Sequence, residues 1–253
     1  MALLTLDGLP AAPLARRWAV PRVVLFVRHA SSLDAAHELA GQGAPDATAV
    51  LAEEQTAGRG RDGRSWHSPA GGVWLAMVLR PTHAELAAAS IRAGLVVADV
   101  VDELLGAPSC RLKWPNDVLV DDRKIAGVLC EGRWQGDELL WLAVGVGINV
   151  CNPLPDTLTP RALSLRERLP SIRRLDVLDR LVPALARLTA ASARLTDAER
   201  AAFGGRDWLA GRALRSPVAG RGAGLGADGA LLVAASDGAA APTAVRDGHV
   251  ELA

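Results

Sequence analysis

The stretch Glu138–Val150 (ELLWLAVGVGINV) constrains the fold more than any other. Read as a strand, its side chains alternate between two faces. Leu142, Val144, Val146, Ile148 and Val150 share one face, which has the character of a core face. Trp141, Ala143, Gly145, Gly147 and Asn149 share the other. Two glycines on one face leave a trough beside a polar asparagine. Glycine inside a strand marks close approach of a ligand or of another backbone.

Other segments supply partners for such a strand. Arg22–Val27, Thr48–Glu53 and Cys110–Trp114 read as strands. Val73–Leu79 (VWLAMVL) is apolar throughout, as expected of a strand covered on both faces. Val118–Val120 and Lys124–Leu129 flank Asp121-Asp122-Arg123, a hairpin turn. Ala35–Ala40, Ala84–Leu105, Leu175–Leu195 (bent at Pro183) and Asp197–Leu209 are expected helices. From Gly211 onward, short apolar runs alternate with Gly/Asp turns, the texture of a small all-β module. Met1–Pro21 reads as a short arm.

The chain has 253 residues, enough for one sizeable core and a small appended unit. Lys+Arg and Asp+Glu both number 28, and this neutral balance argues against a dedicated nucleic-acid binder. Anion binding must therefore be local. The cysteines (Cys110, Cys130 and Cys151) carry no metal or disulfide spacing, and no apolar run approaches the ~18 residues of a membrane helix. The expectation is a soluble cytoplasmic protein that binds neither nucleic acid nor membrane.

The local anion site is Gly58-Arg59-Gly60-Arg61-Asp62-Gly63-Arg64-Ser65-Trp66. Glycines supply backbone freedom, and arginines supply planar donors that match phosphate and carboxylate. The stretch is expected to become ordered when an anion arrives; the bland alternative is a solvated surface turn. It fits G-x-G-x-x-G, but no helix follows, so it is not a dinucleotide-fold turn, and no P-loop motif occurs. Lys113-Trp114-Pro115-Asn116-Asp117 gathers a cation, an aromatic plane, a carboxamide and a carboxylate at a strand end. Lys124 lies inside an apolar β-run, where an unpaired charge is costly and needs a partner.

GRGRDGRSWHSPAGGVW, KWPNDVLV, RKIAGVLCEG and VGVGINV occur in that order. Together they resemble the biotin protein ligases, in the form lacking an N-terminal DNA-binding domain. The resemblance covers about residues 22–152, and the remainder agrees in layout only. It implies an α+β fold: a mixed β-sheet with flanking helices, like a class II aminoacyl-tRNA synthetase, plus a small Src-homology-three-like barrel. The division expected is 1–205 for the catalytic domain (1–21 its arm) and 206–253 for the barrel.

The family's reaction joins biotin and ATP to give biotinyl-5′-AMP and pyrophosphate. Biotin then passes to a lysine of a biotin carboxyl carrier domain, of acetyl-CoA carboxylase or a related carboxylase. By resemblance, Lys124, Arg61 and Lys113 are catalytic. Ser31, Ser32, Gln55, Gly58, Arg59, Gly60, Arg61, Lys124 and Gly127 bind biotin. Arg59, Arg61, Arg64, Trp66, Lys113, Asn116, Asp117 and Asn149 bind ATP or the adenylate, with Trp66 against the adenine and Asp117 on Mg²⁺. One departure stands out: many relatives have Ser-Thr-Asn where this chain has Ser31-Ser32-Leu33. The role of that asparagine is lost here or passes to Asp34.

Two alternatives share these features. A lipoate or octanoate attachment enzyme has the same fold class, and a non-catalytic regulator would bind the adenylate without making it. Relatives occur as monomers and dimers, so a homodimer remains open.

Overall fold

In the computed structural model, residues 4–82, 86–235 and 241–253 are described. The expected arm is more than an arm. A small ribbon, β1 (Thr5–Leu6) and β2 (Leu9–Pro10), leads into α1 (Ala11–Trp18). Leu14 and Trp18 lie on one helix face and are both buried. Pro13 sits in the first turn, where its missing N–H leaves no hydrogen bond unmade.

The central sheet collects β3 (Arg22–His29), β4 (Thr48–Gln55), β5 (Val73–Leu79), β6 (Cys110–Lys113), β7 (Asp117–Val120), β8 (Arg123–Gln135) and β9 (Glu138–Ile148). Their spatial order is β3-β4-β5-β9-β8-β7-β6. Only β3–β4 is parallel; every other pairing is antiparallel, so the sheet is mixed as expected. Asp121 and Asp122 both have positive φ and form a two-residue hairpin connection between β7 and β8.

The alternation read in Glu138–Val150 holds. Leu142, Val144, Val146 and Ile148 join the main core with Leu75, Met77 and Leu79 of β5. That face is covered by α3 (Leu86–Leu105) and α4 (Arg174–Ala186). The described part of α3 begins at Leu86, so the expected start at Ala84 lies outside the described residues. Ala143, Ala76, Val78 and Val50 face the other way, against α2 (Ser32–Gly41). Helix α2 packs on β4, β5 and β9 and leaves the face over β8 for a site.

Two helical expectations change. The α-helix expected over Leu175–Leu195 stops at Ala186 and continues only as a short 3-10 turn, although Pro183 lies within it. The next helix, α5, covers Asp197–Arg206, opened by a capping box between Thr196 and Glu199. The remaining strands are β10 (Ala213–Ser216), β11 (Gly220–Leu225), β12 (Leu231–Ala234), β13 (Thr243–Val245) and β14 (Glu251–Leu252). They form one antiparallel sheet, ordered β13-β12-β11-β10-β14. It docks on the rim of the central sheet: Trp114 Nε1 donates to Gly229 O at 3.0 Å, and Trp208 N donates to Leu112 O at 2.9 Å. Among the described residues, no helix is long and apolar enough to cross a membrane.

Candidate functional site: two cavities sharing one wall

Two cavities open on the α2 face and share Arg64, Ser65, Trp66, Lys113, Asp117 and Lys124. The first runs from the N-terminus of α2 along β8 and β9, and the arginine stretch covers it. The second lies on the other side of the shared wall, against Asn149, Arg161 and Trp208.

The glycine trough determines the wall. Gly127 on β8 pairs directly with Gly147 on β9. A Cβ at Gly147 would lie 2.6 Å from Trp66 Nε1, and one at Gly127 would lie 3.0 Å from the same indole. A side chain at Gly147 would collide with the indole and one at Gly127 would press against it, and Trp66 fills the trough. Its ring carries Lys124 Nζ 4.7 Å from a ring centroid. Lys124 also forms an ion pair with Asp117 at 2.5 Å. The partner that a lysine in an apolar β-run requires is thus the acid of the KWPND segment. Backbone bonds fix Lys124 from outside: its N–H donates to Arg161 O at 2.8 Å, and its C=O accepts from Leu163 N at 3.0 Å.

The first cavity carries a defined set of polar groups. Ser31 caps α2 by accepting from Leu33 N at 3.2 Å. Ser32 donates through both N and Oγ to Gln55 Oε1, at 2.8 and 3.0 Å. Gln55 Nε2 donates to Ser68 Oγ at 2.9 Å. These bonds leave three groups for a ligand: the Ser31 hydroxyl proton, the second N–H of Gln55, and a lone pair on Ser32 Oγ. Leu33 lines the same cavity with Leu75, Val128 and Val146. At the position of the relatives' asparagine the cavity is therefore apolar. Asp34 does not take that place; it pairs with Arg59 at 2.5 Å.

The second cavity is cationic. Arg64, Lys113, Lys124 and Arg161 line it against only two carboxylates, Asp117 and Asp122. Among the described residues, neither Arg64 nor Arg161 makes an ion pair. Burial lowers the Lys113 ammonium below the ordinary lysine value; repulsion from Lys124 and Arg64 adds to this, and Asp117 opposes it. The Lys113 side chain rests over the Trp208 ring, Nζ 5.2 Å from the centroid.

The arginine stretch is folded and internally engaged. Gly60 N donates to Arg64 O at 2.7 Å, and Trp66 N donates to Gly58 O at 2.8 Å. Arg59 pairs with Asp34 and with Glu131, the latter at 3.1 Å. Burial works against the Arg59 charge, but Glu131 and Asp34 outweigh it and hold its pKa above the usual value. Arg61 is bonded by Asp247, from the C-terminal sheet. Only Arg64 of the three arginines faces a ligand space without a carboxylate partner.

Most of the expected residues meet here, with four differences. Gly58 lines neither cavity, and its carbonyl is taken by Trp66 N–H. Asn116, expected on the nucleotide side, lines the first cavity, and its Nδ2 is tied to Val128 O at 2.8 Å. Arg59 and Arg61, both expected on the nucleotide as well, line only the first cavity. Asn149 does line the second, and its Oδ1 accepts from Asn152 Nδ2 at 3.1 Å. Residues not singled out from the sequence also contribute: Ser68, Asn152, Arg161, Trp208 and Asp247. Four of these follow the last motif, so motif reading could not reach them. Ser68 was legible in principle, inside the quoted WHSPAGG run. Among the described residues, no group of three His, Cys, Asp or Glu side chains could hold a metal ion.

Residues 31–149 match the family described as the biotin/lipoate A/B protein ligase family. The chain is 39% identical over 143 residues to the bifunctional ligase/repressor BirA of Bacillus subtilis, covering 54% of this chain and 44% of that protein. It is 47% identical over 105 residues to the biotin–[acetyl-CoA-carboxylase] ligase of Paracoccus denitrificans, covering 40% of this chain and 43% of that one. These matches span less than half of each relative's own length. Among solved structures, the biotin protein ligase from Aquifex aeolicus in complex with biotin and ATP superposes with a TM-score of 0.71 at 27% identity. That match covers 91% of this chain and 98% of the other. The mixed sheet, its flanking helices and the C-terminal antiparallel sheet are the fold of the biotin protein ligases, and residues 31–149 form a domain of the biotin/lipoate A/B protein ligase family.

Proposed function

We propose that this chain is an ATP-dependent biotin protein ligase. One observation carries the reading: a cavity with a fixed neutral hydrogen-bonding set and a cationic cavity meet at Lys124. A ureido group has one carbonyl that accepts and two N–H groups that donate. The groups left free in the first cavity match the carbonyl and one N–H: donors on Ser31 and Gln55, and an acceptor on Ser32. A dithiolane ring or a bare acyl chain would leave these polar groups unmatched, which is costly once they are buried. This favours biotin over lipoate or octanoate.

The chemistry follows from the wall. The carboxylate of the ligand reaches Lys124 from the first cavity, and the nucleotide phosphates occupy the second. A carboxylate oxygen attacks the α-phosphorus, the bond to the bridging oxygen breaks, and pyrophosphate leaves. Lys124, Lys113 and Arg64 offset the repulsion between the two anions and stabilise charge on the α-phosphate. Asp117 is the carboxylate that would hold a magnesium ion brought by the nucleotide, and such an ion would supply further neutralisation of the phosphate charge. In the second step the amine of a carrier-domain lysine attacks the mixed anhydride, and AMP leaves. The carrier fitting this chemistry is a biotin carboxyl carrier domain, in line with the acetyl-CoA-carboxylase ligase among the relatives. Residues up to about 205 supply most of this machinery; the unit beyond contributes Trp208 to the second cavity, His249 and Val250 to the first, and Asp247, which holds Arg61.

Exchange of labelled pyrophosphate into ATP tests the reading. Exchange that requires biotin, and that lipoate or octanoate does not support, is the expected result. Exchange with lipoate alone would assign the other substrate. Tight binding of biotin and ATP without exchange would make the chain a regulator.

A further inference from the structure

Ser68 stands in neither cavity, yet it joins the residues that define both. It is buried, and its hydroxyl is doubly engaged. Ser68 Oγ accepts from Gln55 Nε2 at 2.9 Å and donates to the Trp66 carbonyl at 2.9 Å. Its own carbonyl accepts from Gln55 N at 3.0 Å. A continuous run of hydrogen bonds therefore leads from Ser32 through Gln55 and Ser68 to the backbone of Trp66.

That run ends on a residue that needs external holding. The indole Nε1 of Trp66 is buried without a hydrogen-bond partner among the described residues. An unpaired buried N–H is unfavourable, so the ring is not held over Gly147 by its own polar group. Its backbone is held instead, by Ser68 on the carbonyl side and by Gly58 on the amide side. The same node explains Gly58: a Cβ there would lie 2.5 Å from Ser68 Oγ and 2.6 Å from Trp66 O. Gly58 is glycine because the node leaves no room.

We propose that Ser68 is a positioning residue that couples recognition in the first cavity to the placement of Trp66, and through it of Lys124. A ligand that bonds Ser32 and Gln55 fixes the Gln55 amide. The fixed amide holds the Ser68 hydroxyl, the hydroxyl holds the Trp66 carbonyl, and the indole stays against Lys124 at the wall of the second cavity. Occupancy of the first cavity thereby prepays part of the ordering needed in the second, and the two ligands bind with positive coupling. This inference rests on the ligase reading above.

The test uses the full chain and the Ser68→Ala variant, with biotin and a non-hydrolysable ATP analogue as probes. Calorimetry gives the affinity of each probe alone and of the analogue with biotin saturating; pyrophosphate exchange gives kcat and KM. For Ser68→Ala, biotin affinity is expected to stay within about threefold, while the biotin-dependent gain in analogue affinity disappears and kcat falls about tenfold, the scale of one lost buried hydrogen bond. Retained biotin binding shows that the variant's site is folded. Should it fail to fold, Ser68→Cys keeps the side-chain volume while weakening both hydrogen bonds, and the same signature is expected of it. A variant with wild-type coupling and kcat would overturn the relay, as would a uniform loss of both affinities. Absence of biotin-dependent exchange in the wild-type chain would instead sink the ligase reading itself, so the two failures are distinct.

Discussion

The two cavities use their polar groups in opposite ways. In the first, nearly every donor and acceptor is committed to the protein, and the few left over are fixed in place by those commitments. In the second, Arg64 and Arg161 have no ion-pair partner among the described residues, and Lys113 is held close to two like charges. A neutral, shaped ligand end is recognised by geometry, and geometry requires satisfied, rigid groups. A flexible polyanion is recognised by charge, and unneutralised cations serve that purpose. Lys124 stands where the two strategies meet, between an acid partner and an aromatic plane.

The largest effect is expected at that junction. Lys124→Met should lower exchange by a factor on the order of 10³, the scale of removing one electrostatic contact to a developing charge. Biotin affinity, measured by calorimetry, should fall by less than about tenfold, because the ureido contacts lie elsewhere. Comparable losses in both quantities would mean that Lys124 merely anchors the ligand, and the distinction between the cavities would lose its hinge.

The sequence made the wall legible because strand alternation is a local rule. Gly145 and Gly147 fell on one face of Glu138–Val150, and that trough is where Leu33 and Trp66 pack. The need of Lys124 for a partner was legible for a similar reason: an apolar β-run cannot host a bare charge. What could not be read was the pairing of the arginines. Arg59 and Arg61 look alike in sequence, but their carboxylates (Asp34, Glu131 and Asp247) are 25, 72 and 186 positions away. Only the folded chain brings them together. α1 was missed because its two prolines look disruptive, although one precedes the helix and the other sits in its first turn.

A smaller effect concerns pH, and it separates the cavities by charge. Lys113 has a lowered pKa, from burial first and then from Lys124 and Arg64. As pH rises, it therefore loses its proton earlier than an ordinary lysine would. Affinity for the ATP analogue should decline several-fold on the alkaline side, before the range in which exposed lysines titrate. Lys113→Arg should remove that early decline, since arginine stays charged. The direction reverses for the anion's own influence: bound phosphate favours the ammonium form, so binding at alkaline pH should take up protons, measurable as a buffer-dependent enthalpy. An analogue affinity that is flat with pH in the wild-type chain would contradict the role of Lys113 in the second cavity.

The smallest effect is expected at Arg161. Its carbonyl already supports the Lys124 backbone, whatever its side chain does. Its guanidinium is exposed at the rim of the second cavity, where solvent screens it. Arg161→Ala keeps the carbonyl, so it removes the charge without disturbing Lys124. The KM for ATP should rise by about three- to fivefold, as for one screened contact to phosphate, with biotin affinity and kcat little changed. The increase should shrink as salt is raised, because screening already weakens the contact in the parent chain. A loss in biotin affinity would show that this cation reaches across the wall, and the two cavities would then have to be treated as one.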